Sequence, residues 1–249
     1  MKTFSFYVLI LLLSLPVLAQ DKAVEVIYAK AYKNARDTSD SPPSVMKDLE
    51  YRLYCSPVAS HFEFIAAMSN DANKANERYI GMGGGGGVYY KNIATKEKLL
   101  QLSTFGGDFL IEENYDKYTW ELKKEKKEIL GIECYKAIGS YREYSHLTKK
   151  NNTITVTAWY APGIPLPFGP AGYDGLPGLI LESSTPSFYF IAQEIKFRDK
   201  LKKIKAPAKG KKVTMEEFNK QIYKAFKELT NTKEEDITRY VKKSKNQKK

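Results

Sequence analysis

The residues in this chain whose types could do chemistry are few. Residues 81–86, GMGGGG, contain the spacing G-x-G-x-x-G. That fingerprint holds a dinucleotide only when a strand precedes it and a helix follows, so that the helix N-terminus meets the pyrophosphate. Here the strand-like run Val88-Tyr89-Tyr90 follows, and no Gly-Lys-Ser/Thr ending is present. The run reads as a mobile loop between strands. A Ser-His-Asp or Cys-His site must use one of only two histidines, His61 and His146. Cys55 falls in an alternating run and His146 in a polar loop, and no spacing joins them. His61 and Glu63 lie two apart on an expected strand and so share a face, but no third metal ligand is suggested. Asp108, Glu112, Glu113, Asp174, Glu182 and Glu194 could supply a glycosidase-like pair. Such pairs form in space, and nothing in the sequence selects one. No catalytic residue, metal or cofactor is assigned.

Strands must position whatever site exists. Residues 23–33, 49–55 and 61–66 alternate apolar and polar, as half-buried strands do. Further strands are expected at 87–91, 97–103, 109–112, 117–122, 131–138, 153–160, 179–183 and 187–196. Residues 123–128 read as a charged, hairpin-like interruption, residues 34–44 as a polar loop, and residues 69–77 as a loop or weak helix. Roughly ten short strands without a long intervening helix predict a mainly β fold. The expected architecture is a curved antiparallel sheet or a partly open β-barrel, with a C-terminal helical, lysine-rich tail. In that tail, residues 206–212 read as a flexible basic linker. Thr214-Met-Glu-Glu217 and Thr232-Lys-Glu-Glu235 each match a capping box, the first opening an amphipathic helix over residues 214–229.

Charge and the N-terminus narrow the setting. Lys2, an apolar stretch over residues 4–18 and Val17-Leu18-Ala19 describe a signal peptide at 1–19, cleaved after Ala19. A β-rich domain at 20–205 and the tail at 206–249 complete the expected division. The formal net charge is +11. Residues 196–249 hold 19 Lys/Arg against 7 Asp/Glu, so the basicity belongs to the tail. An exported chain with one lysine-rich end is not expected to bind nucleic acid, and no transmembrane segment is expected after cleavage. Cys55 and Cys134 are an even pair in an exported chain. Sequence leaves both a disulfide and two separately buried thiols open. The 18 tyrosines and 12 phenylalanines are core material first, and could also line an apolar groove in a curved sheet.

Four prolines, Pro162, Pro165, Pro167 and Pro170, then force an extended crossing into GYDGLPGLILE, residues 172–182. Asp174-Gly175 is turn chemistry, Pro177 fixes the chain after it, and Gly178-Leu179-Ile180 enters a strand. Gly175-Leu176-Pro177-Gly178-Leu179-Ile180 resembles the signature of the GLPGLI family of exported bacterial proteins. Trp159-Tyr160, Ile164-Pro165, Phe168-Gly169-Pro170, Cys134-Tyr-Lys-Ala137 and residues 209–218 support the resemblance. Ala161-Pro-Gly-Ile departs from a more usual Thr-Pro-Glu-Ile. The resemblance implies an envelope location in Gram-negative bacteria, supplies no activity, and carries over no catalytic residue. The expected function is a non-enzymatic periplasmic or secreted protein that binds an apolar ligand, a peptide or an envelope partner. The alternatives are an envelope hydrolase using carboxylates or His61, and an assembly factor acting through the basic tail.

Overall fold

The computed structural model describes residues 23–33, 44–65, 80–81, 84–145, 149–186, 188–199 and 203–231. In chain order the strands are β1 (Ala23–Tyr32), β2 (Ser44–Cys55), β3 (Ala59–Ile65), β4 (Val88–Asn92), β5 (Glu97–Thr104) and β6 (Gly107–Glu112). Then come β7 (Thr119–Ile129), β8 (Ile132–Ser145), β9 (Lys150–Ala161), a 3₁₀ turn at Pro170–Gly172, β10 (Leu179–Ser184), β11 (Phe188–Arg198), β12 (Lys211–Thr214) and the helix α1 (Met215–Thr230). The twelve strands among the described residues form one unclosed sheet, in the order β12-β6-β5-β4-β3-β2-β1-β11-β10-β9-β8-β7. The sheet is strongly curved: Tyr89 and Leu100 of β4 and β5 line one cleft with Tyr141 and Ile154 of β8 and β9. The mainly β expectation holds, with a single parallel pair, β12 on β6, making the sheet mixed.

The segment between β9 and β10 fills the inside of the curve. Phe168 bonds Ile180 and Pro167 bonds Gly175, both through backbone, so the crossing folds back on itself before β10 begins. Three of its backbone bonds span two residues: Leu166 to Ile164, Phe168 to Leu166, and Gly178 to Leu176. The central residues are Pro165, Pro167 and Pro177. Proline's fixed φ matches the central position of an inverse γ-turn. The result is an alternation in which Ile164, Leu166, Phe168 and Leu176 are buried and Pro165 and Pro177 are exposed. Each buried side chain of this size contributes about 1.5–3 kcal/mol. They pack with Tyr28, Tyr51, Phe62 and Phe190, among which Tyr51 and Phe62 stack at 5.5 Å and Phe190 meets Tyr51 edge-on at 5.1 Å. The interior is therefore filled by the chain itself. The aromatics act first as core, as composition suggests.

A second, smaller cluster joins the tail to the sheet. Leu100, Phe109, Ile111 and Val213 are buried under Met215, Phe218 and Ile222 of α1. Thr214 caps α1 with a complete capping box, its hydroxyl accepting from the Glu217 amide and the Glu217 carboxylate accepting from the Thr214 amide.

Three expectations change. Residues 123–128 are not an interruption. They continue β7, and the turn comes at Leu130-Gly131, whose φ values of 51° and 76° make a tight primed hairpin. Among the described residues β7 pairs only with β8, and its exposed lysines suit a sheet edge, where charge deters further pairing. Residues 211–212, read as linker, enter β12, where only Val213 of four residues is buried, too little for an alternating signal. The run at 81–86 does not lie wholly free of the core: Gly85 is buried, and a Cβ on it would meet the Tyr51 ring at 2.6 Å. The expected signal segment, residues 34–43 of the expected loop at 34–44, the expected loop or weak helix at 69–77, His146 and the second capping box at residues 232–235 lie outside the described residues.

Candidate functional site

β4 and β5 form an antiparallel hairpin in which Lys91 stands directly opposite Lys98. Like charges at opposed positions repel, so this register needs an anion between them. Asp174 supplies it. Lys91 Nζ donates to Asp174 Oδ1 at 2.8 Å, and Lys98 Nζ donates to Oδ2 at 2.6 Å. Each ammonium makes a second bond as well: Lys98 donates to the Gly172 carbonyl at 3.0 Å and Lys91 to the Tyr115 carbonyl at 3.1 Å. The side chains of Lys98 and Asp174 are 1% and 6% exposed. Trp120 of β7 donates from its indole N–H to the Asp174 carbonyl at 2.8 Å, and the Tyr118 ring faces Lys98 Nζ at 4.8 Å. Burial lowers the Lys98 pKa, and Asp174 partly offsets that shift. The motif aspartate thus ties three parts of the fold together, the crossing, the β4–β5 hairpin and β7.

Beside this lock the curved arms leave a cleft of about 290 Å³ lined by Tyr89, Tyr118, Tyr141, Tyr173, Glu113 and Lys117, among others. Glu113 and Lys117 pair at 2.7 Å. Tyr118 packs against Tyr173 at 5.4 Å and edge-on against Tyr141 at 5.5 Å. Burial pushes the Tyr89 phenol up to about 12 and raises Tyr118, Tyr141 and Tyr173, so all four rings are neutral at ordinary pH. A groove of about 450 Å³, sharing Lys117, Tyr141 and Met215, continues past Arg142 and Glu143 to Glu216 and Asn219 of α1. By contrast, the void under the crossing, beside Asp174 and Lys98, measures about 10 Å³.

On β1 the buried parity Val24, Val26, Tyr28 continues into Lys30, which is 0% exposed. Its ammonium donates to the Ile80 and Gly84 carbonyls at 3.0 and 2.8 Å and faces the rings of Tyr51, Phe188 and Phe190. Burial lowers its pKa from 10.5 to about 7. Between those values the unfolded chain holds a proton that the folded chain lacks, so stability rises with pH, by up to about 1.4 kcal/mol per unit. Urea midpoints are therefore expected to climb from about pH 7 to about pH 9, and Lys30→Met is expected to remove most of that climb. Equal pH slopes in the two proteins would remove the buried, titrating lysine from the account.

Apart from Glu113 and Asp174, which border one small void, the other residues singled out by sequence do not converge. His61 Nε2 lies 3.2 Å from Glu63 on β3, both partly exposed. Among the described residues no group of three or more His, Cys, Asp or Glu is placed to hold a metal. Each of the six carboxylates pairs with lysine: Asp108 with Lys209, Glu112 with Lys212, Glu113 with Lys117, Glu182 with Lys127, Glu194 with Lys196, and Asp174 with two. Cys55 and Cys134 are free and buried. Burial raises their thiols to about 12 and about 11. Native protein is expected to resist alkylation at both positions and to take two labels once unfolded; labelling of the folded state at the unfolded rate would contradict that burial.

Of the motif residues, Asp174, Gly175, Leu176, Pro177 and Gly178 form the end of the crossing, and Leu179 and Ile180 start β10. Trp159 and Tyr160 lie opposite Glu182 and Ile180 on β9. Gly169 and Pro170 enter the 3₁₀ turn, and a Cβ on Gly169 would meet Ile180 at 2.7 Å. Sequence reading missed Lys30, Lys91 and Lys98. The signal for Lys30 was its parity on β1, and for the other pair the opposition of two lysines across a short hairpin.

No helix among the described residues is long and apolar enough to cross a membrane. No curated protein matches the sequence. Two structures of PNGF-II, in the C2 and P21 space groups, resemble this chain with a TM-score of 0.49 and 15% identity over 82% of its length. The match covers 33% and 34% of those chains, so this chain spans about a third of their length. Residues 140–182, from β8 through the crossing into β10, match the family model described as "Protein of unknown function (Porph_ging)".

Proposed function

We propose that this is a non-enzymatic, exported envelope protein of the GLPGLI type that holds an extended peptide of a partner in the tyrosine cleft and its adjoining groove. The observation that carries the reading is the continuity of the two. Neutral tyrosine faces and Met215 line a trough whose rim carries Lys117, Arg142, Glu143 and Glu216. A peptide offers apolar side chains to such a floor and polar groups of both signs to such a rim. An apolar ligand enclosed by the sheet is not favoured, because the crossing occupies that space. Hydrolysis is not favoured, because the void that Glu113 and Asp174 share measures only about 10 Å³, too small for a substrate. Export rests on the leader-like residues 1–19 and is tested by fractionation of cells and by the N-terminus of the mature chain.

Panning a random peptide library on the purified protein is expected to enrich sequences with spaced aromatic or aliphatic residues. Tyr141→Ala is expected to weaken the enriched peptides by about 2 kcal/mol, roughly thirtyfold. Absence of enrichment, or affinities untouched by both Tyr141→Ala and Met215→Ala, would remove the cleft from consideration.

A further inference from the structure

We propose that Lys98 and Asp174 condense with each other, forming an intramolecular amide that fastens β5 to the motif loop. Three observations carry it. First, the reacting groups are in contact, with Lys98 Nζ 2.6 Å from Asp174 Oδ2, and both side chains are almost wholly excluded from solvent. Second, Lys91 Nζ lies 2.8 Å from the other oxygen, Oδ1, where it stabilises negative charge developing on that atom. Third, Glu113 borders the same small void as Lys98, Asp174, Gly172 and Tyr173. Its side chain is 4% exposed, and its backbone amide donates to the Lys98 carbonyl at 3.0 Å. Glu113 Oε1 is held by Lys117 at 2.7 Å, whereas Oε2 lies 3.6 Å from the Cβ position of Gly172, the residue whose carbonyl also accepts from Lys98.

The step is redox-neutral and needs no other reactant. A proton passes from the Lys98 ammonium to Oδ2 along their hydrogen bond, giving a neutral amine and a neutral acid. A dry site favours this uncharged pair, and desolvation already lowers the Lys98 pKa. The nitrogen lone pair attacks Cγ, and the carbonyl electrons move to Oδ1, facing Lys91. Glu113 takes one proton from the attacking nitrogen and delivers it to the Oδ2 hydroxyl, which leaves as water. The carbon–oxygen double bond re-forms, leaving an amide between Nζ and Cγ. Contact geometry, exclusion of water and a nearby carboxylate supply what an uncatalysed lysine–aspartate pair on a surface lacks.

The test is the intact mass of the mature full-length protein, denatured, with its N-terminus established in the same spectrum. The expected mass is one water below that of the sequence. Proteolysis is expected to give one branched peptide joining the Lys98 and Asp174 segments. Lys98→Arg, which keeps the charge, is expected to show the unmodified mass. Asp174→Asn is expected to reach the same final mass as the wild type, because the asparagine expels ammonia and yields the identical amide. Glu113→Gln is expected to remain unlinked. A wild-type mass with no water lost overturns the proposal. A water lost within a linear peptide, as a succinimide at Asp174-Gly175, overturns it equally. A linked Glu113→Gln protein overturns the role given to Glu113.

Discussion

Asp174→Ala is expected to lower the unfolding free energy by about 3–5 kcal/mol relative to the unlinked Glu113→Gln protein, the range for removing one partner from a buried charge pair. The substitution leaves Lys91 and Lys98 facing each other across the β4–β5 hairpin, in a void of about 10 Å³ with no room for several waters. The alternative partners still present, the carbonyls of Gly172 and Tyr115, carry no charge. The loss reads out as a fall in urea midpoint at unchanged slope. In the Asp174→Ala background, Lys98→Met is expected to recover part of the loss by removing one of the two stranded ammonium groups. An Asp174→Ala protein within about 1 kcal/mol of that unlinked reference would show that the lysine pair is solvated after all.

Gly178→Ala is the second large effect, at least about 3 kcal/mol, and its cause is steric. A Cβ there would stand 2.3 Å from the Ala161 carbonyl oxygen, 2.7 Å from its carbon and 2.9 Å from Pro162 Cα. All three atoms are backbone, so no rotamer change relieves the contact. Leu179 pairs with Ala161 at this point, and the clash pushes β9 and β10 apart where the crossing leaves and re-enters the sheet. Gly163→Ala is the matched control: nothing lies within 4 Å of its Cβ position, and the change is expected to stay within about 0.5 kcal/mol. Between these extremes sits Gly175, whose φ of 88° costs any other residue about 1–2 kcal/mol without a clash, since its nearest contact is Trp120 Nε1 at 3.7 Å. Equal stabilities for the Gly178 and Gly163 variants would refute the close approach. The motif glycines and prolines thus serve the path of the backbone, and the motif aspartate serves the lysine pair.

Much of the scaffold is local in origin and was legible. Residues 23–33, 49–55 and 153–160 alternate because a strand presents successive side chains to opposite faces, and each lies in a strand, although β2 begins five residues before its expected start, at Ser44. The capping box at Thr214–Glu217 opened α1 as expected, because its bonds join residues three apart. The same locality explains the misses. β12 has one buried residue, and β7 is an edge strand whose lysines face water, so neither carries an apolar period. In both, partner strands decide the structure.

The chemistry of the site divides along the same line. Sequence by itself determined the strand-rich class, the basic tail and the proline-guided crossing, since each depends on neighbours within a few residues, whereas the turn expected at Asp174-Gly175 is a bridge from Asp174 back to Phe168. Only the tertiary structure decided that Asp174 meets lysines 83 and 76 positions away, that six carboxylates each have a lysine, and that tyrosines from separate strands share one cleft. Those pairings depend on sheet order and curvature. Both are set by burial summed over the whole chain, which no short window of residues records.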